Sequence, residues 1–273
     1  MKDIKIVLGC NGDRLPELMN IYNVCFDDGA GYAELLFSRR IDLSLAVTAS
    51  MDSVLCGAFY FIPATVGDKS GVMLYALGVL PEYRNLGVGS ALVSFAKKYC
   101  DENGLVCLLH PADNGLFGFY EKLGFDCKIS SKLAVYHGRE YDIRIRAIGA
   151  CDYFKRREEF LSDRPSVRWN ENDVGYALLE NAFCGGICVG GDRFIALLSR
   201  EKDKVYIKEL LTDRSENPEA LKRYSLAAGS MCGVSDVSAV FPSWYSDGVL
   251  YRSALAYRLP EGMKDLFFGL MLD

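Results

Sequence analysis

The sequence predicts an α/β (α+β) protein in which two parts of the chain each combine strands with helices. Two observations carry this prediction. In the first half, short apolar runs alternate with segments of helical spacing, and a glycine-bearing loop joins one of these runs to a helix. After Val174 the strand-like pattern begins again. A chain of 273 residues is long enough for one large domain or two small ones.

The first half reads as a strand, two helices, three strands, a helix, a strand, a helix and closing strands. Asp13 is a suitable N-cap for the first helix, and Gly124, after the last one, suits a left-handed C′ position. In the helix after the glycine loop, apolar residues recur on one face, which we expect to pack on the sheet. The predicted strands are 4–8, 43–48, 54–62, 72–80, 105–109, a run from residue 125, and 133–136; the predicted helices are 13–26, a second ending at 40, the helix after the loop, and 116–123.

The second half is predicted to form a smaller α/β domain behind a helical connector. The connector contains the charged helical stretch 152–161. Strands are predicted at 176–183, 193–198 and 205–211, and the helix that follows has Asn217 as its N-cap and Pro218 in its first turn. The predicted domains are therefore 1–148 and 166–273, joined by the connector 149–165.

Composition narrows the functional classes. The chain is 50% hydrophobic and 25% charged, as in a typical globular protein. Its net charge of −5 argues against a nucleic-acid partner, and no apolar run approaches the roughly 20 residues of a membrane span. The chain start lacks a signal-peptide pattern and the ten cysteines are scattered through apolar segments, so we expect a cytoplasmic protein with reduced thiols. With two histidines, no metal site is expected.

The most informative stretch is the loop Arg84-Asn85-Leu86-Gly87-Val88-Gly89, which follows an apolar run and precedes a helix. Glycines allow a tight turn and a close backbone approach to a ligand, and a helix N-terminus offers unpaired N–H groups to an anion. The loop therefore predicts a pyrophosphate cradle. It is not a P-loop, because Gly89 is followed by Ser90-Ala91, and it lacks the third glycine of the dinucleotide fingerprint.

This stretch resembles the acetyl-CoA motif R/Q-x-x-G-x-G/A of the GNAT superfamily of N-acetyltransferases, with Arg84, Gly87 and Gly89 at the motif positions. The later stretch FYEKLGF, at 119–125, is similar to a second signature of the same superfamily. Together they identify 1–148 as a GNAT domain, which implies a central mixed, mostly antiparallel sheet flanked by helices.

The second half resembles a degenerate GNAT-like domain. The segment 213–218 lies where a second cofactor loop would fall, yet it contains no glycine and places acids where phosphates would bind. Such a layout is similar to bacterial tandem-GNAT acetyltransferases, in which an inactive C-terminal module completes a working N-terminal one.

The resemblance implies an acetyl-CoA-dependent N-acetyltransferase that transfers an acetyl group to a primary amine of a small molecule or peptide by direct attack. Acetyl-CoA is then a co-substrate, and no metal takes part. The end of the fourth strand would pair with the pantetheine arm, and the amide of Val79 would face the thioester carbonyl. Asn114 is a further candidate for a cofactor contact. The residues expected at the cofactor are Leu77, Gly78, Val79, Arg84, Asn85, Leu86, Gly87, Val88, Gly89 and Ser90.

For catalysis the second signature implies Tyr120 as the general acid, although a core aromatic residue would also suit that position. The fourth strand carries no acid, so a water relay is favoured for deprotonating the amine, and Tyr75 could take part in it. His110, with its suitable pKa, and Asp273, by analogy with related survival-type acetyltransferases, are further candidates. A lone histidine at such a position is more often structural, and a solvent-facing Asp273 explains the sequence at least as well as a catalytic one.

The sequence does not identify the molecule that accepts the acetyl group. Asp27 and Asp28 lie in a loop on the expected acceptor side and would attract a cationic amine, although a solvated turn explains them as well. A polyamine, an aminoglycoside-like sugar, an amino acid or a peptide terminus would each fit, and so would a longer acyl donor. The alternative function is a non-catalytic acyl-CoA-binding sensor or regulatory protein. A homodimer is left open.

Overall fold

The computed structural model describes residues 3–263 and 265–270, and the chain divides into two compact units. The first unit is Met1–Cys127 with Leu255–Pro260, and the second is Lys128–Ala254 with Glu261–Asp273. The strands are β1 Ile4–Leu8, β2 Ala46–Met51, β3 Val54–Val66, β4 Lys69–Val79, β5 Val106–Leu109, β6 Cys127–His137, β7 Ile145–Ala147, β8 Val167–Arg168, β9 Ile187–Gly191, β10 Phe194–Glu201, β11 Lys204–Thr212, β12 Asp236–Pro242 and β13 Val249–Tyr257. The helices are α1 Leu15–Cys25, α2 Tyr32–Arg39, α3 Val88–Asn103, α4 Phe117–Lys122, α5 Ala150–Leu161, α6 Glu171–Phe183 and α7 Pro218–Met231.

The first unit is a mixed sheet in the order β1-β2-β3-β4-β5-β13, to which β13 contributes only its last residues. All neighbours are antiparallel except β4 and β5, which are parallel and joined by α3. Val88, Leu92 and Ala96 on one face of α3 are buried together with Phe59 and Phe61 of β3. The predicted apolar face of this helix therefore packs into the core of the unit.

β4 is bent by a β-bulge near its end. The register between β3 and β4 shifts between Ala58 and Tyr60, and Ala76 on β4 has a left-handed φ of 51°. β4 pairs with β5 only up to Met73, although β4 continues to Val79. A bulge increases local twist and turns a strand away from its neighbour. The last residues of β4 therefore border a gap in the sheet.

The second unit repeats much of this plan. Its sheet has the order β6-β12-β11-β10-β9-β7, and β11 and β12 form a parallel pair joined by α7. The other pairs are antiparallel. Asn217 caps α7 as predicted, since its side chain accepts a hydrogen bond from Ala220 N at 3.1 Å.

Three predicted elements differ from the structure. The segment 176–183, predicted as a strand, lies within α6, where Val174, Ala177 and Asn181 are buried at helical spacing. Residues 43–45 form a 3₁₀ turn, and strand β2 begins only at Ala46. Asp13 lies in another 3₁₀ turn, and α1 begins at Leu15 without a side-chain cap. Short apolar runs such as 176–183 are ambiguous because strands and buried helices share their composition.

The predicted domain ranges also differ from the compact units. β6 pairs with β12, so most of the segment 127–137 belongs to the second unit, while residues 255–260 return to the first. Among the described residues all ten cysteines are free, and no three His, Cys, Asp or Glu side chains are grouped as metal ligands. Nor is any described helix long and apolar enough to cross a membrane.

Candidate functional site

A pocket of about 740 Å³ opens in the first unit beside the gap in the sheet. Its walls come from the end of α1, the end of β4, the glycine loop with the start of α3, the loop after β5, and α4. The lining residues are Cys25, Phe26, Leu77, Gly78, Val79, Arg84, Asn85, Gly87, Val88, Gly89, Ser90, Ala112, Asp113, Leu116, Phe119 and Tyr120. The cavity size is in the range of small-molecule and cofactor sites.

The glycine loop presents the free end of α3 to this pocket. Asn85 and Gly87 both have left-handed backbone conformations, with φ of 62° and 88°, and Gly87 is the residue before the helix. In the part of the chain that the structure describes, no side chain caps the first turn of α3. The first N–H groups of a helix have no partner inside it and carry partial positive charge. The loop can therefore bind an anion through its backbone.

Arg84 ties this loop to the end of β4. Its Nε donates a hydrogen bond to the carbonyl oxygen of Val79 at 3.0 Å. The guanidinium also lies close to the Cys25 thiol and acts to lower its pKa. Burial of that thiol is the larger effect, so its pKa is raised. The side chain at the first position of the loop thus holds the strand end that borders the gap.

The amide of Val79 faces the gap in the sheet. Leu80 N donates to Cys56 O at 2.9 Å, so these two residues form a hydrogen-bonded antiparallel pair. The next pair, Val79 with Gly57, is then a non-hydrogen-bonded pair whose N–H and C=O groups point away from the partner strand. Because the pairing of β4 with β5 ends at Met73, the Val79 N–H does not bond to β5 and instead hydrogen-bonds the Cys25 thiol, which lines the same pocket. A thiol is a weak acceptor, so a ligand carbonyl can take its place.

Tyr120 lines the pocket from α4 and is 7% exposed. Its ring packs against Phe119 and Phe125, with ring centroids 5.1 and 6.2 Å away. Burial raises the pKa of this phenol to about 12. The hydroxyl is therefore protonated at neutral pH and can act as a hydrogen-bond or proton donor to an anion that forms beside it.

Several predicted site residues lie outside this pocket. Leu86 is an exposed residue of the loop, and neither Asn114 nor His110 is part of the lining. Asp28 accepts a hydrogen bond from Tyr22 OH at 2.6 Å, and Asp27 is exposed beside it. Asp273 lies outside the described residues. The other predicted cofactor residues and Tyr120 are brought together in the lining.

The pocket also contains residues that the sequence analysis did not select. Cys25 lies against Gly78 in the same wall, where a side-chain Cβ would lie only 3.0 Å from the Cys25 Sγ atom. The glycine on β4 therefore favours this close approach of α1. Asp113 accepts hydrogen bonds from Gly115 N and Leu116 N in the turn before α4, and it also lines the pocket. The other unselected lining residues are Phe26, Ala112, Leu116 and Phe119.

Comparison with known proteins agrees with this geometry. Residues 15–125 match the model of the Acetyltransferase (GNAT) family, and no curated protein sequence matches the chain. A probable N-acyltransferase from Enterococcus faecalis V583 superposes with a TM-score of 0.71 at 14% identity over 95% of this chain and 73% of that chain. A GCN5-related N-acetyltransferase from Kribbella flavida has a TM-score of 0.66 at 16% identity, with 93% and 71% covered.

A tandem GNAT protein from the clavulanic acid biosynthesis pathway has a TM-score of 0.57 at 12% identity, with 95% of this chain and all 100% of that chain covered. At such identities the likeness shows the fold. The fold is therefore the GNAT fold. Within it, residues 15–125 are the part of the chain that is similar to the acetyltransferase (GNAT) family model.

Proposed function

We propose that the protein is an acetyl-CoA-dependent N-acetyltransferase that acts on a primary amine of a small molecule or peptide. One observation carries the proposal. A single pocket joins the uncapped end of α3, the outward-facing amide of Val79 and the protonated phenol of Tyr120. These are the groups that would bind a pyrophosphate, polarise a thioester carbonyl and protonate a leaving thiolate.

The donor would be held mainly by backbone groups. The N–H groups of 86–90 and the positive end of α3 would bind the pyrophosphate, and Gly87 permits the left-handed turn that exposes them. Leu77, Gly78 and Val79 would pair with the pantetheine arm as an added strand. Bound acetyl-CoA supplies an activated acetyl thioester, and Tyr120 would deliver a proton to the sulfur as the amine attacks.

The proton of the attacking amine needs another acceptor, because β4 has no carboxylate between Val72 and Val79. We propose a water relay for this step. His110 and Asp273 stay candidates for the base from the sequence, and Asp27 and Asp28 stay candidates for attracting the amine.

The ten free cysteines of the described residues suit the reducing cytoplasm that we propose as the location.

We further propose that the second unit has no donor site of its own. At the end of β11 the Tyr245 hydroxyl accepts from Thr212 N at 2.9 Å and donates to Thr212 O at 3.3 Å, so this strand end is already hydrogen-bonded. At the start of α7 Asn217 caps Ala220 N, and Pro218 has no N–H to offer. One donor molecule per chain is expected.

The lack of a carboxylate on β4 favours one alternative, a non-catalytic acyl-CoA-binding sensor. The test begins with isothermal titration of acetyl-CoA, followed by measurement of thiol release over a panel of amines. The enzyme binds one acetyl-CoA and releases thiol with one class of amine, whereas the sensor binds without release. No binding would overturn both readings.

Replacement of the proposed general acid further distinguishes the enzyme from the sensor. Tyr120→Phe keeps the packing of the ring and removes the hydroxyl. We expect kcat to fall by about a hundredfold with little change in acetyl-CoA affinity. Tyr99→Phe, outside the pocket lining, is the matched control and should keep full activity. Unchanged turnover in Tyr120→Phe would contradict its assignment as the acid.

A further inference from the structure

Two side chains hold the outward-facing polar groups of Val79, at the end of β4. Its carbonyl oxygen accepts a hydrogen bond from Arg84 Nε at 3.0 Å, and its N–H donates to the thiol of Cys25. Burial raises the pKa of this thiol, so the sulfur is neutral at neutral pH. A neutral sulfur is a weak acceptor, whereas a bond from a guanidinium is charge-assisted. The N–H is therefore the group of Val79 that a ligand can take over.

Cys25 is packed closely against the end of β4. It is the last residue of α1, and it lines the pocket together with Phe26. A Cβ at Gly78 would lie 3.0 Å from Cys25 Sγ, 3.1 Å from Cys25 Cβ and 3.4 Å from Phe26 Cε2. One added carbon atom would thus already press on the Cys25 side chain. The wall beside the Val79 amide has little spare room for a larger group.

A donor whose carbonyl bonds to Val79 must move the thiol. A carbonyl oxygen in such a bond lies about 2.9 Å from the nitrogen, and the Cys25 sulfur already uses this N–H. Cysteine has one side-chain torsion, and in a helix the rotamer at about +60° is rare, so a single rotation separates the two remaining positions of the sulfur. That rotation frees the N–H without a change of the backbone. The carbon chain of the acyl group, attached to the same carbonyl, then lies next to the Cys25 side chain.

We propose that Cys25 selects the acyl group of the donor: its thiol yields the Val79 N–H to the thioester carbonyl and limits the length of the chain beyond it. The inference rests on the proposed function and names the donor class, a thioester of a short acyl group such as acetyl. Cys25 acts here as a specificity-determining residue, and no covalent bond to its sulfur forms or breaks. In the free protein and with coenzyme A alone, the thiol stays on the amide.

The first test measures donor binding by isothermal titration with acetyl-CoA, butyryl-CoA and coenzyme A, which lacks the thioester carbonyl. Cys25→Ala removes the competing acceptor and opens the wall. We expect the Kd for acetyl-CoA to fall by about threefold and the Kd for butyryl-CoA, whose acyl chain is longer, to fall by about tenfold. The Kd for coenzyme A should not change, which also shows that the variant is folded.

Cys25→Ser separates the hydrogen bond from the size of the side chain. A hydroxyl is smaller than a thiol and is a stronger acceptor, so it should hold the Val79 N–H more firmly. We expect the Kd for acetyl-CoA to rise by about threefold in this variant, opposite to the change in Cys25→Ala. A wall that acted by size alone would instead lower this Kd in both variants. Cys10→Ala and Cys10→Ser, at a half-buried thiol of the first unit outside the pocket lining, are the controls and should change no Kd.

The outcomes distinguish the inference from the proposed function. Equal changes for butyryl-CoA and acetyl-CoA in Cys25→Ala would overturn the limit on chain length. A lower Kd for acetyl-CoA in both Cys25→Ala and Cys25→Ser would overturn the competition for the amide, and neither result touches the proposed function. Binding of acetyl-CoA to the wild-type protein without thiol release would overturn the proposed enzyme and leave the Kd values expected for Cys25 in force. Failure of the wild-type protein to bind acetyl-CoA would overturn both.

Discussion

Arg84 Nε donates a hydrogen bond of 3.0 Å to the carbonyl oxygen of Val79, which links the first residue of the glycine loop to the last residue of β4. The bond uses the carbonyl that faces away from β3, so it leaves the adjacent Val79 N–H directed into the gap. The loop that would bind phosphates and the strand end that would bind the thioester are thus held in one arrangement. Arg84 therefore positions the site through the backbone.

Loss of this bond should weaken donor binding. In Arg84→Gln we expect the acetyl-CoA Kd to rise by about fivefold, since the residue is exposed and water partly replaces the contact. Isothermal titration measures the change. Arg14→Gln is the matched control, because that partly exposed arginine pairs with Glu17, away from the pocket lining, and should leave the Kd unchanged. An unaltered Kd in Arg84→Gln would show that the bond does not hold the site.

The two loop glycines should respond differently to alanine. Gly87 has φ of 88°, which costs an alanine roughly 1–2 kcal/mol, so Gly87→Ala should lower both the stability and the acetyl-CoA affinity. At Gly89 a Cβ would lie 3.6 Å from Phe119 Cζ, an ordinary contact, so Gly89→Ala should fold and bind normally. Thermal unfolding and titration of both variants test this. Equal losses in the two variants would contradict the assignment of strain to Gly87.

A buried ion pair should support the second unit. Glu209 and Arg157 are fully buried, with Arg157 Nε 3.1 Å from Glu209 Oε1, and Tyr153 OH donates to the same oxygen at 2.7 Å. Glu209→Ala leaves the Arg157 charge buried without this partner. We expect the free energy of unfolding to fall by about 3–5 kcal/mol, measured by guanidinium denaturation. Glu201→Ala, an exposed residue of the same unit, should change it by less than about 0.5 kcal/mol.

An exposed cluster in the first unit should give a pH dependence. Arg258 Nη1 lies 2.9 Å from Asp101 Oδ1, and Tyr257 OH donates to the same carboxylate at 3.0 Å; these contacts hold the Asp101 pKa below its usual range, with Arg258 the larger cause. A lowered folded-state pKa adds stability above the unfolded value of about 3.9, and this stability is lost as pH falls through the folded value.

Asp101→Asn should therefore be less stable than the wild type at pH 7, and the difference should shrink as pH falls below about 4. Urea denaturation between pH 7 and pH 3 measures it, and added salt should reduce it because the group is exposed. Glu102→Gln is the control, since its carboxylate is only loosely paired with Lys98 at 3.7 Å. A difference that grows at low pH would contradict the sign of the shift.

Sequence reasoning worked best where a feature lies within a few consecutive residues. The turn at Gly124, the cap at Asn217 and the apolar face of α3 follow from local backbone preference and helical spacing, and the structure contains all three. It failed at 176–183, where period and composition fit a strand as well as a buried helix. The cofactor contact of Asn114 stays a prediction, and the neighbouring Asp113 is the residue of this turn that lines the pocket.

By itself the sequence determined the chemistry that can line the pocket: a glycine loop before a helix, a strand end without an acid, and a tyrosine in a short helix. These properties are local, because each depends on residue type and on neighbours a few positions away. Only the tertiary structure decided which wall Cys25 and Gly78 share, that the Val79 amide faces the gap, and that residues 255–257 pair with β5. Such relationships depend on packing between segments far apart in the chain, and periodicity carries no information about partners at that distance.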